Sequence, residues 1–217
     1  MTTDPHDGVD WRQFEPLELS PILTAALDAF YENGFHGATV RDIASRVGLT
    51  VPALYYHYEN KAGLFAALLE IGTTEAAWRV RAAATEAAGH PDVQFVNAIE
   101  AIVLHMTCRT RLATLDSELR HLPPEYRKRY AARRKEVENV LVEIVLAGTR
   151  AGVFSPDHPI ETARALLGMC QSVARWYQWD GPLGPSELAG RYVDIALMAV
   201  GAKQTSKRAP ARRRKSR

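Results

Sequence analysis

Long apolar runs are missing from this chain: none reaches the roughly 18 residues that a membrane span needs. The first ten residues, MTTDPHDGVD, are acidic and lack the apolar centre of a signal peptide, so a cytoplasmic protein with no membrane partner is expected. Cysteine is scarce. Cys108 and Cys170 sit in apolar helical patterns, are expected to be reduced and buried, and have no zinc-ligand spacing. The seven histidines are scattered, with no pair at metal-ligand spacing on a helix. Glu100 and His105 are five residues apart and share a helical face poorly, and glycine-rich phosphate loops are absent. No catalytic residue, metal or cofactor is therefore expected. No strand signature competes with helical periodicity anywhere, which makes the chain all-α.

Acid is missing from one region. Residues 203–217, KQTSKRAPARRRKSR, hold eight basic groups and no acidic one. The rest has 19 Lys and Arg against 25 Asp and Glu, a net −6, so the overall +2 is set by this tail. The tail is too basic and Pro-interrupted to fold alone and is read as disordered; salt-sensitive DNA affinity is its functional reading, a solubilising end its plain one. The body has no bulk charge for nucleic acid, so any DNA contact must come from local patches.

What is present is a helical punctuation of unusual density between Thr39 and Lys61, TVRDIASRVGLTVPALYYHYENK. Thr39 can cap one helix, with Asp42 three residues on. Val40, Ile43, Ala44 and Val47 repeat at helical spacing, and Gly48 ends the run. Thr50 can cap a second helix, with Pro52 in its first turn. The lengths suit a helix-turn-helix that reads a major groove, or a helical hairpin with no nucleic acid.

Four motifs decide between these: T-V-R-D-I-A, V-G-L-T, A-L-Y-Y-H-Y and N-K-A-G-L, in order within residues 20–69. They closely resemble the DNA-binding domain of the TetR/AcrR family of transcriptional regulators. The resemblance implies a three-helix head joined by a long helix to a larger helical domain for ligand binding and dimerisation. It implies a homodimer that binds a palindromic double-stranded operator, acts as a repressor, and is released by a small hydrophobic or amphiphilic effector. Tyr56 and His57 match positions that contact phosphates or bases. Thr50, Val51, Pro52 and Ala53 occupy the start of the recognition helix, Thr50 for a phosphate or base and the others for thymine methyls. Lys61 matches a frequent phosphate contact, and Arg41 is a second candidate. Arg46 is a third, or else pairs with Asp42. Leu54 and Tyr55 are assigned to the core, and Tyr58 packs inward. No Arg, Asn or Gln lies between Gly48 and Glu59, so bidentate base contacts are not expected there.

In chain order, residues 1–19 read as a flexible arm, 20–66 as the DNA-binding domain, 67–202 as the ligand-binding and dimerisation domain, and 203–217 as the tail. A first helix starts at Ser20-Pro21 and ends at Asn33-Gly34, and the helix after Asn60 runs to about Ala88. The charged run RKRYAARRK reads as a solvated face, or as a contact for an anionic ligand tail. The last two long helices are apolar on more than one face and suit a four-helix dimer interface. The segment LLGMCQSVARWYQWDGPLGPSELAGRYVDIAL resembles an acyl-CoA-responsive subgroup concerned with lipid catabolism. On that resemblance, Phe95, Ile99, Ile102, Val103, Met106 and Met169 line an acyl tunnel, and Arg109, Arg175 or the Arg133-Arg134 pair meets the CoA phosphates. The rival effector is a hydrophobic drug or phenolic compound stacking on Trp176 and Tyr177.

Overall fold

The computed structural model describes residues 8–202; the basic tail and the first seven residues of the arm lie outside the described residues. Every regular element among the described residues is helical: α1 (Pro21–Gly37), α2 (Val40–Arg46), α3 (Val51–His57), α4 (Lys61–Glu86), α5 (Pro91–Cys108), α6 (Thr110–Thr114), α7 (Pro124–Arg150), α8 (Pro159–Gln171) and α9 (Pro185–Ala199), with 3-10 turns at Leu115–His121 and Ser172–Arg175. No helix among them is long and apolar enough to cross a membrane.

The boundaries follow from local chemistry. Ser20, Thr39, Thr50 and Asn60 each accept a hydrogen bond from the backbone N–H three residues on, at 3.3, 3.1, 3.3 and 2.8 Å. Gly48 takes φ 68°, and the Leu49 N–H reaches back to Ala44 O at 2.9 Å, closing α2 with a left-handed residue and a six-to-one bond. Gly34, at φ 69°, kinks α1 near its end, so the last residues of that element turn back over the head.

Two apolar cores result, and α4 runs through both. The head core gathers Leu27, Phe30, Phe35, Ile43, Ala44 and Leu54 around Leu64, Phe65, Leu68 and Leu69 of α4. Phe65 meets Phe30 and Phe35 edge-on, at 4.9 and 5.2 Å between ring centroids. This core does not close at residue 66: Leu112, Leu115, Leu122 and Tyr130, from α6, the first 3-10 turn and α7, are buried in it. The body core takes Ala77, Trp78, Val80 and Ala83 of the same α4, with α5, α7, α8 and α9 packed around. A 26-residue helix is about 39 Å long, so α4 is one rod with each half in a different core.

The expected flexible arm needs correction over its described part. Residues 8–19 form a strap along the body. Trp11 is 4% exposed, and its Nε1 donates to Glu86 at 2.6 Å. Arg79 donates to the carbonyls of Trp11 (2.6 Å) and Gln13 (2.8 Å), and Arg109 to that of Glu15 (2.8 Å). Phe14 lies beneath both guanidiniums, 3.6 Å from Arg79 and 5.2 Å from Arg109. Leu17 and Leu19 then pack on the head core. A leader poor in apolar residues is held because its few large aromatics are all used and its backbone carbonyls meet buried cations.

Candidate functional site

The outer face of the head is built from α2, α3 and the first turn of α4. On α3, Tyr56 is 88% exposed, with its ring edge-on to that of His57, itself exposed, at 5.5 Å. Tyr55, which the sequence assigns to the core, is 45% exposed and joins that face; Leu54 alone of the pair is buried. The α3 helix has seven residues, so only one narrow side turns inward, and Leu54 with half-buried Val51 and Tyr58 fills it. Pro52 is exposed, and Ala53 is half-buried. Thr50 already caps α3 through its hydroxyl oxygen, which leaves the hydroxyl proton for a phosphate or base. Arg41 is exposed, and its side chain makes no hydrogen bond or ion pair with another described residue. Arg46 pairs with Glu32 at 2.7 Å and with Asp42 at 3.1 Å, the second being the alternative that the sequence offers.

Lys61 is engaged within the head. Its Nζ donates to the carbonyls of Phe35 (2.6 Å) and Ala38 (3.0 Å) and sits 4.7 Å from the Phe35 ring. Partial burial lowers its pKa. The side chain is a strut that ties α4 to the turn after the Gly34 kink, where orphan carbonyls need donors. Lys61→Met is therefore expected to lower stability by about 1–3 kcal/mol, since hydrogen bonds from a charged donor are lost. Thermal melting tests this, and an unchanged midpoint would return Lys61 to the phosphate contacts.

In the body, α4, α5, α6, α7 and α8 surround a cavity of about 60 Å³. Its apolar wall includes Leu69, Val80, Ile102, Met106, Leu112 and Leu167; its polar groups are Thr73, His105, Asp116, Tyr130, Arg133, Arg134 and Gln171. A second, wider cleft of about 300 Å³ lies between α4 and α7 and shares Leu69, Thr73, Tyr130 and Arg133 with the first, while Arg129 belongs to it alone. Of the expected ligand residues only Ile102 and Met106, with the Arg133-Arg134 pair, line this space. Phe95, Ile99 and Val103 are wholly buried in the body core, on sides of α5 that meet other helices. Met169 packs on that core away from the cavity. Arg109 is bound to Glu75 at 2.8 Å, and Arg175 and Trp176 lie outside, the latter stacked on Tyr192. Tyr177 is buried but not on the cavity.

Beside the cavity is a buried charge network that sequence reasoning missed. Glu75 receives Arg79 (2.7 Å) and Arg109 (2.8 Å). Burial pushes the Glu75 carboxyl up, but the bonds from Arg109 and Arg79 and the nearby His105 outweigh it and hold the pKa below its ordinary value. His105 is 2% exposed, and burial lowers its pKa to about 4, so it is neutral at pH 7. Its Nδ1 has no hydrogen-bond partner among the described residues, a defect that costs roughly 1–3 kcal/mol. Cys170 is buried and Cys108 only half-buried, and neither forms a disulfide. No group of three or more metal-ligating side chains occurs among the described residues.

The outer faces of α8 and α9 and the loop between them leave Ile160, Trp176, Trp179, Ile195 and Met198 exposed, Met198 at 82%. The body core underneath is already filled by Leu166, Leu167, Leu188 and Val193.

Residues 22–68 match the family described as bacterial regulatory proteins, tetR family, and residues 88–200 match that described as Tetracyclin repressor-like, C-terminal domain. A curated relative, the HTH-type transcriptional regulator YdgC of Bacillus subtilis, is 24% identical over 180 residues, covering 82% of this chain and 90% of that protein. Among solved structures, a bacterial regulatory protein in the tetR family from Rhodococcus RHA1 has a TM-score of 0.78 at 29% identity, over 85% of this chain and 97% of that one. AibR, solved in complex with isovaleryl coenzyme A and operator DNA, has a TM-score of 0.73 at 23% identity, over 84% and 97% of the two chains; at that identity the likeness is one of fold.

Proposed function

Because the chain belongs to the TetR family of DNA-binding, ligand-responsive transcriptional regulators, we propose that it is a dimeric repressor released from a palindromic operator by an acyl-CoA thioester. That places its work in the cytoplasm and links it to lipid metabolism. The observation that carries the effector class is an apolar cavity with arginines at its edge, Arg133 and Arg134 on the inner cleft and Arg129 on the outer. Their present partners are carboxylates and an amide: Glu70 for Arg129 (2.9 Å), Glu136 for Arg133 (3.0 Å), and Gln171 (2.6 Å) with Asp116 (3.7 Å) for Arg134. Exposed pairs of this kind contribute about 0–1 kcal/mol, so exchanging them for phosphates costs little. The bound isovaleryl coenzyme A in AibR supports the same class. The rival drug or phenolic reading loses support, since Trp176 and Tyr177 do not border the cavity.

A route from effector to DNA is built into the packing. Leu69, Leu112 and Tyr130 line the cavity and are also buried in the head core. At about 60 Å³ the cavity holds a few water-sized volumes. A larger occupant must displace these residues, and Tyr130 also loses its 2.7 Å bond to Asp116. The head is then repacked against α4, which changes the spacing of two heads in a dimer. The exposed large apolar residues of α8, α9 and the loop between them support the dimer, because a second copy packed on those helices would cover them.

The test is binding of the full chain to duplex DNA taken from upstream of its own gene. Tyr56→Ala is expected to weaken binding roughly 10- to 100-fold, the scale of one lost base contact, with an unchanged melting temperature. A panel of CoA thioesters is then titrated into the complex. Binding that is equal in Tyr56→Ala would remove the assigned reading face, and a complex that no thioester dissociates would remove the effector class and leave the fold.

A further inference from the structure

We infer that His105 selects the effector, and that the effector's acyl part carries a hydrogen-bonding oxygen, a hydroxyl or a keto group, which docks on the His105 imidazole in the cavity. This rests on the thioester reading and narrows it. His105 borders the cavity and is 2% exposed, yet its Nδ1 has no partner. Buried polar side chains in native proteins are satisfied in the large majority of cases, so an orphan on a side chain that borders a cavity points to a group brought to it when a larger occupant repacks the wall.

The charged groups around it are committed elsewhere. Glu75 is committed through both oxygens to Arg79 and Arg109. Arg79 is spent on Glu75 and the strap carbonyls, and Arg109 on Glu75 and Glu15 O. The other polar groups on the cavity are also engaged: Thr73 Oγ1 donates to Leu69 O at 2.7 Å, Asp116 accepts from Tyr130, and Gln171 Oε1 accepts from Arg134. Arg133 and Arg134 are paired with Glu136 and Asp116, and the rest of the wall is hydrocarbon. A saturated acyl chain would leave the nitrogen orphaned inside a drier site, whereas an oxygen among otherwise apolar atoms would satisfy it. A neutral imidazole has one donor and one acceptor nitrogen, so it accepts from a hydroxyl or donates to a keto oxygen according to its tautomer.

Two matched pairs test this on the full-length protein: isovaleryl-CoA against 3-hydroxyisovaleryl-CoA, and butyryl-CoA against acetoacetyl-CoA. Affinity is read by calorimetry without DNA, and release is read on the upstream duplex. At least one oxygenated member is expected to bind about tenfold or more tightly than its partner, the scale of one net hydrogen bond at a site left unpaired by the other ligand. His105→Leu is expected to shrink that gap below about twofold, with a melting temperature equal to or above the parent's. His105→Asn, which keeps a polar group, covers the case of a poorly folding leucine variant and is expected to retain part of the gap. Equal affinities within both pairs, or a preference that survives His105→Leu, overturn the inference while sparing the thioester reading. Binding of none of the four overturns both.

Discussion

Glu75→Ala is expected to lower stability by about 3–5 kcal/mol, because it strands two buried guanidiniums without a counter-charge. Arg79 is almost fully buried, and the Arg109 side chain is nearly so. Each would keep only the strap carbonyls as acceptors. The strap depends on these cations, so its backbone loses well-oriented donors as they relax toward solvent. For a chain of this size the melting temperature is expected to fall by roughly 10 °C. Glu75→Gln should fall less, since an amide oxygen still accepts one bond, although the compensating charge is gone. Thermal and urea denaturation of the three proteins decide the matter. A Glu75→Ala variant melting within about 2 °C of the parent would mean that the network is solvated in solution and holds nothing.

Acid is expected to have the second large effect. His105 has an ordinary pKa of 6.5 and a native one of about 4. Between these values the unfolded chain binds a proton that the native state refuses. Stability rises with pH wherever the unfolded state holds more protons, so this group destabilises the fold as pH drops from 6.5 to 4. At 1.36 kcal/mol for each unit, the loss is about 3 kcal/mol. Glu75 acts lower on the scale and in the same direction. Its contribution is present above the unfolded carboxylate value of 4.5 and is lost as pH falls through its depressed native pKa. Urea midpoints measured from pH 7.5 to 3.5 should therefore fall in two overlapping limbs. His105→Leu should flatten the upper limb and keep the lower. A parent midpoint that stays level from pH 7 to 4.5 would mean that His105 is not buried neutral.

These groups were invisible in the sequence, whereas the head was not, for a physical reason. Thr39, Thr50 and Asn60 cap helices by bonds to residues three positions on, and Gly48 turns the chain by its own backbone freedom. Such signals are local, so the motif reads directly from residue order. The motif also carried the family and the all-helical fold. What residue order does not show depends on distant partners. Lys61 has the sequence position of a phosphate contact, but carbonyls 23 and 26 residues back take its ammonium. Periodicity shows that Phe95, Ile99, Ile102, Val103 and Met106 sit on an apolar helix, but α5 is apolar nearly all round. Which side borders the cavity is set by α4, α7 and α8. Arg109 resembles any cation suited to phosphate until Glu75, 34 residues earlier, is brought against it. Tyr55 and Tyr56 differ in burial only through the direction of a seven-residue helix.

The strap has a consequence for the order in which the molecule comes apart. Its hydrogen bonds join residues 66 to 94 positions apart, and both halves of its docking site, on α4 and α5, must already be paired before it can lie down. Closing so long a loop contributes little to a transition state dominated by nearer contacts. Interactions formed after that barrier act on escape from the native state and leave entry into it almost unchanged. The N-terminal segment is thus expected to act as a latch in time: removing it should speed unfolding in urea far more than it slows refolding.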